Sequence, residues 1–561
     1  MTFPWVGHYD PGVPPEIGPV SGTLPQLLLQ AASRSPRSPA LAFLGRTITY
    51  GALAEQTARL AQAFRNLGVA PKVRVAFLLP NCPQLVMTYH AALRLGAVAV
   101  PLNPLLSPKE LNYQLTDSGA RWLVALDHLL PKVEETRAKA NLTQVIVTGQ
   151  ADYLPWPSNW LYPLKARRQG WATGYKSAPG RLAWRELLHS RPLEDPPLAE
   201  PGDVAVLLYT GGTTGVPKAA ALTHRNLLAN VAQINAWLPQ VRYGEERLVG
   251  LLPFSHSFGL TVCLNWPISQ GALIIVLPRF EMQMFFKAMK KHRPTMLPGV
   301  PTIFVALINH PEITRYDLTS LWACISGSAP LPLEVRERFE ALTDCRILEG
   351  YGLTEAGPVT HINPIEGRRP PGSIGLPLPG TAVKIMDQET GTQEVPPGEV
   401  GELVLQGPQV MQGYWQKQEE TALALRNGWL YTGDLARMEA DGYFYIVERK
   451  KDMIISGGYN IYPREVEEVL YQHPGVKEAV ALGWPDAYRG EVVKVVIVPR
   501  EGFNLTPEEI QVFCQSQLAV YKVPKIIEFR RELPKSQVGK VLRRVLREEG
   551  AAPGLQDTGS S

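Results

Sequence analysis

Between Thr47 and Leu126 the apolar residues switch repeatedly between two periods, and this alternation limits the fold more than any other feature. The stretch TITYGALAEQTARLAQAFRNLG has the helical period, with Leu53, Leu60, Phe64 and Leu67 on one side and Gly68 as a stop. Residues 73–79 read as a strand, 84–95 as a helix, 97–100 as a strand, 108–118 as a helix and 122–126 again as extended chain. Strands alternating with helices form a parallel sheet covered on both faces. With 561 residues the chain is too long for one core, so at least two domains are expected.

The densest chemistry lies in YTGGTTGVPKAAALTHRN, residues 209–226, fed by an apolar strand-like run at 204–208. Thr210, Gly211, Gly212, Thr213, Thr214 and Gly215 combine hydroxyl donors with glycines that let successive backbone N–H groups turn toward one point. Lys218 adds a positive charge, so the loop suits a polyphosphate. It is not a Walker A loop, because no glycine directly precedes Lys218 and no Ser or Thr follows it. The plain alternative is a Gly/Thr turn between two strands. A helix capped by Thr223 follows, with Leu227, Val231 and Ile234 on one side.

Composition narrows the function classes. Hydrophobic residues at 45% and charged residues at 19% suit a globular protein, and a net charge of +4 is too mild for a nucleic-acid partner. No apolar run approaches the roughly 18 residues of a membrane span. The opening MTFPWVGHYDPGVPPE has no basic n-region and no apolar h-region, so no secretory leader is expected. Cys82, Cys263, Cys324, Cys345 and Cys514 are scattered, without a CxxC or a zinc-like spacing, and read as reduced structural thiols of a cytoplasmic protein.

Further stretches carry candidate chemistry. Residues 153–171 mix Trp156, Trp160, Tyr162 and Trp171 with Lys165, Arg167 and Arg168. That mixture suits either a peripheral lipid-headgroup contact or a proline-rich excursion packed on the domain's own surface. PFSHSFG holds His256, and CISGSAPL has a small-residue corner at Gly327, Ser328 and Ala329 that lets a flat ring lie against backbone. In ILEGYGLTEAG, Tyr351 stands between Gly350 and Gly352 and can stack on a base, while Thr354 and Glu355 offer a hydroxyl and a carboxylate. Residues 372–414 read as a small barrel-like subdomain. Asp434 can accept from both hydroxyls of a cis-diol. From Asp452 onward the pattern reads as a compact domain with a strand at 492–498 and a helix at 507–519, and Arg543, Arg544 and Arg547 are expected to face water.

These motifs, in this order over roughly residues 20–548, resemble the adenylate-forming superfamily of acyl-CoA synthetases, peptide-synthetase adenylation domains and luciferases. VERKKDMI, EFRRELPKSQVGKVLRR and LEGYGLTEAGPV are most similar to its long-chain fatty acyl-CoA synthetases. The chain departs at Ala219, where relatives usually carry glycine, and at Ser255, where relatives often carry an aromatic. The resemblance implies an α/β fold: a large N-terminal domain of layered α/β sheets plus a small barrel-like subdomain (1–449), hinged to a small α+β C-terminal domain (450–548), with a disordered tail (549–561).

It also implies roles. The glycine loop takes phosphates, His256 lies beside the reacting carboxylate, and residues 327–329 and 349–352 (Glu349 included) take the adenine, with Tyr351 stacking on it. Thr354 touches phosphate, Glu355 holds Mg2+, and Asp434 and Arg449 contact ribose. Lys451 is the pivot, Lys540 is catalytic in adenylation, and Gly457, Gly458 and Asn460 serve the coenzyme A half-reaction after the small domain swings. The implied activity uses ATP, Mg2+ and coenzyme A to turn a medium- to long-chain fatty acid into acyl-AMP and then acyl-CoA. Transfer to a carrier protein, or a fatty-acid-binding or uptake protein without catalysis, are the rivals. Monomer and homodimer both fit, as does a cytoplasmic protein peripheral at the inner face of the membrane.

Overall fold

Helix boundaries in this chain follow from local capping. Ser107 and Glu110 form a reciprocal capping box at the start of the helix Pro108–Ser118, and Gly119 ends it in the left-handed conformation. Thr223 caps the helix His224–Trp237 by accepting the Asn226 N–H at 3.1 Å, while the Asn226 side chain returns the bond to the Thr223 N–H. The long helical stretch begins only at Tyr50, because Arg46–Thr49 is drawn into a strand and Thr49 serves as its cap. The computed structural model describes residues 3–168, 175–210, 216–456, 459–486, 489–536, 539 and 541–551. They divide into two compact units, Met1–Ala382 with Leu405–Leu430, and Val383–Val404 with Tyr431–Ser561. The expected 449/450 junction lies inside the second unit.

The first unit holds two large sheets. One runs, in spatial order, Gly413–Tyr414, Lys218–Thr223, Val204–Thr210, Val98–Leu102, Arg74–Leu78, Trp122–Leu126, Gln144–Thr148 and Arg181–Ala183. From Val204–Thr210 to Arg181–Ala183 all pairings are parallel, as the alternating periods require. The helix Pro83–Arg94 is buried along its whole length. Two of its polar side chains bond within the fold: the Gln84 amide donates to Thr148 and Gly149, and Arg94 donates to the carbonyls of Leu193 and Asp195.

The second sheet runs Leu376–Pro377, Val359–Ile362, Arg346–Gly352, Ala323–Ser326, Met296–Gly299, Arg247–Gly250, Leu273–Val276, Pro39–Phe43 and Arg46–Thr49. Arg247–Gly250 is followed in sequence by Leu273–Val276 on one side and then by Met296–Gly299 on the other, all parallel. Such a reversal opens a crevice at the carboxyl ends of the strands, where ligands of α/β sheets bind. His256 lies just beyond Gly250, at that end.

The barrel-like sheet comprises Ala382–Met386, Gly401–Gln406, Trp429–Met438, Leu425–Arg426 and Phe444–Arg449. It therefore extends past residue 414. Gly413–Tyr414 belongs instead to the first sheet, where it covers the otherwise open edge of Lys218–Thr223. The last sheet, in the second unit, is covered on both faces because alternate residues of its strands point to opposite sides. Ala479, Ala481, Val493 and Val495 pack with Val466, Leu470 and Ile510, while Val480, Leu482, Val496 and Val498 pack with Leu533 and Leu546. The helix expected at 507–519 stops at Gln515, with a short 3-10 turn at Val520–Lys522.

Candidate active site

The stems of the glycine loop are well anchored. Thr210 pairs with Lys218 across the two antiparallel strands, and its hydroxyl donates to the Lys218 carbonyl at 3.3 Å. The helix Pro108–Ser118 holds both sides: Tyr209 donates to Asp117 at 2.8 Å and Tyr113 donates to the Pro217 carbonyl at 3.0 Å. Gly211, Gly212, Thr213, Thr214 and Gly215 lie outside the described residues, as do Gly457, Gly458 and Lys540.

His256 caps a short helix, Ser257–Leu260, its Nδ1 accepting the Phe258 N–H at 3.2 Å. That bond leaves the proton of the neutral ring on Nε2. The turn carrying it is held by Asn81, which sequence reading missed: its Nδ2 donates to the carbonyls of Gly250 and Leu252, and its Oδ1 accepts from Phe254 N–H. Asn81 stands alone between apolar residues and Cys82-Pro83, which is the only local signal it offers. Gly259 must be glycine, since a Cβ there would lie 2.1 Å from the Pro253 carbonyl oxygen. The ring lying against Gly327 is that of Phe258, 3.0 Å from where a Cβ would stand. Next to it Ser328 adopts a left-handed backbone (φ 70°), and Ser328 and Ala329 are exposed.

The GYGLTEAG segment meets this turn. Ser257 Oγ lies 3.1 Å from Thr354 Oγ1, and Thr261 donates to the Gly357 carbonyl at 2.7 Å. Glu349 is buried and accepts from Leu331 N–H at 3.2 Å, with Arg336 3.6 Å from its other oxygen. It braces the strand Arg346–Gly352 against the corner that follows Ser326. Gly350 and Tyr351 pair with Ile362 and His361, and the half-buried Tyr351 ring meets His361 edge-on at 5.9 Å. Burial lowers His361 to about 3, so it stays neutral.

Glu355 sits in the 3-10 turn Thr354–Ala356 and accepts from the Tyr414 hydroxyl at 2.8 Å. Tyr414 in turn lies beneath Lys218, whose Nζ is 5.3 Å from its ring centroid. One tyrosine thus joins the loop lysine to the candidate metal carboxylate. Among the described residues Oε2 of Glu355 takes no hydrogen bond, and no cluster of three or more His, Cys, Asp or Glu side chains stands together. A single carboxylate beside a hydroxyl is a hard oxygen set, which fits Mg2+ that also coordinates phosphate.

In the second unit Asp434 and Arg449 face each other in antiparallel register, with Arg449 Nε 3.1 Å from Asp434 Oδ1. Lys451 is pushed down to about 8, first by burial and then by Arg449. Asn460 lies in the strand Tyr459–Ile461, paired with Ile455. The stems of the Lys540 loop are tied by a bridge between Lys535 and Val541, and by Leu542 N–H to the Pro534 carbonyl at 2.8 Å. Arg543 does not face water as expected. Its guanidinium lies 2.6 Å from Glu467, 3.4 Å from Glu448 and 3.7 Å from Asp452, and its side chain is only 20% exposed. Arg547 pairs with Asp452 at 3.2 Å, while Arg544, which pairs with Glu548 one turn on, is the exposed member. The reason is electrostatic: Glu448 and Asp452 are buried, and buried carboxylates need a cation. Burial nevertheless holds Glu448 above its ordinary range.

Residues 28–415 match the AMP-binding enzyme family and residues 465–540 match the AMP-binding enzyme C-terminal domain. The chain belongs to the AMP-binding enzyme family. Among AMP-binding enzymes, the long-chain-fatty-acid–CoA ligase of Bacillus subtilis (strain 168) is 45% identical over 548 residues, covering 97% of this chain and 98% of that protein. The long-chain-fatty-acid–CoA ligase of Escherichia coli O6:H1 is 40% identical over 555 residues, covering 98% of each. The ATP-bound structure of MatB from Rhodopseudomonas palustris superimposes with a TM-score of 0.83 at 30% identity, covering 95% of this chain and 99% of that one. The resemblance read from the motifs is therefore borne out at the level of the family.

Proposed function

We propose that this AMP-binding enzyme activates a medium- to long-chain fatty acid and passes it to coenzyme A. In the first step a carboxylate oxygen attacks the α-phosphorus of ATP, the bond to the β-phosphate oxygen breaks, and pyrophosphate leaves. In the second the coenzyme A sulfur, its proton released to solvent, attacks the acyl carbon, and AMP leaves. The observation carrying this reading is the meeting of three distant motifs in one unit: the loop stem at Lys218, the turn at His256, and Thr354–Glu355. The substrate class rests on the two ligases similar over nearly the entire chain.

Bringing a carboxylate to a triphosphate sets anion against anion, so oriented cations and donors lower the barrier. Lys218 and the threonines of the loop bind phosphate oxygens, Thr354 donates to phosphate, and His256 borders the carboxylate. Tyr351 stacks on adenine, with residues 327–329 and 349–352 around it, and Asp434 and Arg449 take the ribose. Lys540 acts in adenylation alone, whereas Gly457, Gly458 and Asn460 serve the thiol step and Lys451 the change between them. Glu355 would hold Mg2+, which supplies charge neutralisation on the phosphates when bound. No buried cysteine is recruited as a nucleophile, because the substrate brings its own thiol.

The reading extends to an anionic membrane surface, where a fatty acid partitions. In the helix Ser158–Arg168 and the residues before it, Trp156, Trp160 and Leu164 are 83%, 75% and 60% exposed, while Ala166 is buried and Tyr162 bonds to Gln150. The outward face is thus apolar, with the exposed Arg167 and Arg168 at one end. No helix among the described residues is long and apolar enough to cross a membrane. The test of the reaction is product analysis with ATP, coenzyme A and hexadecanoate: AMP and acyl-CoA in equal amounts support it. ADP as product, or transfer to a carrier protein's phosphopantetheine with no acyl-CoA formed, rejects it.

A further inference from the structure

Tyr414 has no role in the reading above, yet it touches both halves of the phosphate-binding machinery. Its hydroxyl donates to Glu355 Oε1 at 2.8 Å, and Lys218 stands over its ring at 5.3 Å, within cation–π range. The backbone around it is equally committed. Tyr414 pairs with Ala220, Trp415 N–H donates to the Ala219 carbonyl at 2.8 Å, and Met411 N–H donates to the carbonyl of Glu355 itself at 2.8 Å. The segment 411–415 therefore grips Glu355 by main chain and side chain together while lying along the strand that begins at Lys218.

We propose that Tyr414 is a positioning residue, which fixes the plane of the Glu355 carboxylate so that Oε2 is the oxygen offered to the metal. A carboxylate without such a partner rotates and offers either oxygen or both. Mg2+ demands near-ideal octahedral geometry and tolerates that freedom poorly. Hydrogen-bond partners of metal ligands typically matter by 10–100-fold in affinity. The inference rests on Glu355 as the metal-holding residue, and the experiment separates the two.

The measurement is Mn2+ affinity in the presence of a non-hydrolysable ATP analogue, read by electron paramagnetic resonance of free Mn2+, for Tyr414→Phe, Glu355→Gln and the double variant. Tyr414→Phe keeps the ring beneath Lys218, and a thermal midpoint within a few degrees of the parent reports an intact fold. The expected result is roughly 10–100-fold weaker Mn2+ binding in Tyr414→Phe, with the double variant no weaker than Glu355→Gln alone. If Glu355→Gln weakens Mn2+ and Tyr414→Phe stays within twofold of the parent, the positioning role is wrong and Glu355 remains the ligand. If Glu355→Gln leaves Mn2+ affinity unchanged, both assignments fall.

Discussion

Asn81 Oδ1 accepts the main-chain N–H of Phe254 at 2.8 Å, which hangs the turn before His256 from the loop that follows the strand Arg74–Leu78 of the other sheet. Asn81 is buried, and its amide also satisfies the Gly250 and Leu252 carbonyls. Asn81→Ala leaves three main-chain groups without that partner, and an unsatisfied buried group costs about 1–3 kcal/mol. The variant should lose roughly 3 kcal/mol or more in urea unfolding. It should also raise KM for the fatty acid more than KM for ATP, because the displaced turn carries His256. Equal changes in both constants would show that Asn81 supports the fold without setting the acyl side of the site.

Much of this architecture was legible in the sequence where local chemistry decides it. Pro108–Ser118 has its capping box and terminal glycine within the segment, so both ends were readable. Arg543 was misread because its partners Glu448 and Glu467 lie 95 and 76 residues away, and a basic helix next to a chain terminus looks solvated in sequence. Tyr414 was missed because a two-residue strand has no period to detect. In Ser158–Arg168 an internal Pro163 and an apolar outer face defeat the usual helical pattern.

Removing the cation from the buried acidic cluster should expose its role. Arg543→Met takes the guanidinium from Glu448 and Glu467, while Asp452 keeps Arg547, and breaking a buried pair costs about 3–5 kcal/mol. Amide exchange in Phe444–Arg449 and Pro463–Tyr471 should then quicken by roughly two orders of magnitude at pH 8. Glu448 is already held above its ordinary range by burial and loses the Arg543 charge that lowers it, so this loss is relieved as Glu448 protonates and should be smaller at pH 5 than at pH 8. A loss independent of pH would argue that packing, not charge, is what Arg543 supplies.

Membrane contact by the outward face of residues 156–168 is checked by co-sedimentation with liposomes containing anionic lipid. The parent should sediment at low salt and less at high salt. Arg167→Glu with Arg168→Glu should reduce binding, as should Trp160→Ser. A parent chain that never sediments would return this helix to the status of a surface excursion.

The two half-reactions separate the proposed roles of Lys540 and Gly458. Lys540→Ala should slow acyl-adenylate formation by about 10²–10³, the worth of one oriented stabilising group. Acyl-CoA formation from supplied acyl-AMP should stay near parental rates in that variant. Gly458→Leu should do the reverse, since a side chain there obstructs pantetheine. Equal slowing of both steps in Lys540→Ala would make the lysine structural.

In the proposed reaction the fatty-acid carboxylate attacks the α-phosphorus of ATP, and pyrophosphate leaves, before any thiol takes part. Exchange of labelled pyrophosphate into ATP, measured without coenzyme A, tests it most directly. Exchange should depend on dodecanoate or hexadecanoate, be absent without acid, and be far weaker with acetate or a cinnamate-type acid. Absence of exchange with every fatty acid, or a preference for acetate or the aromatic acid, would contradict it.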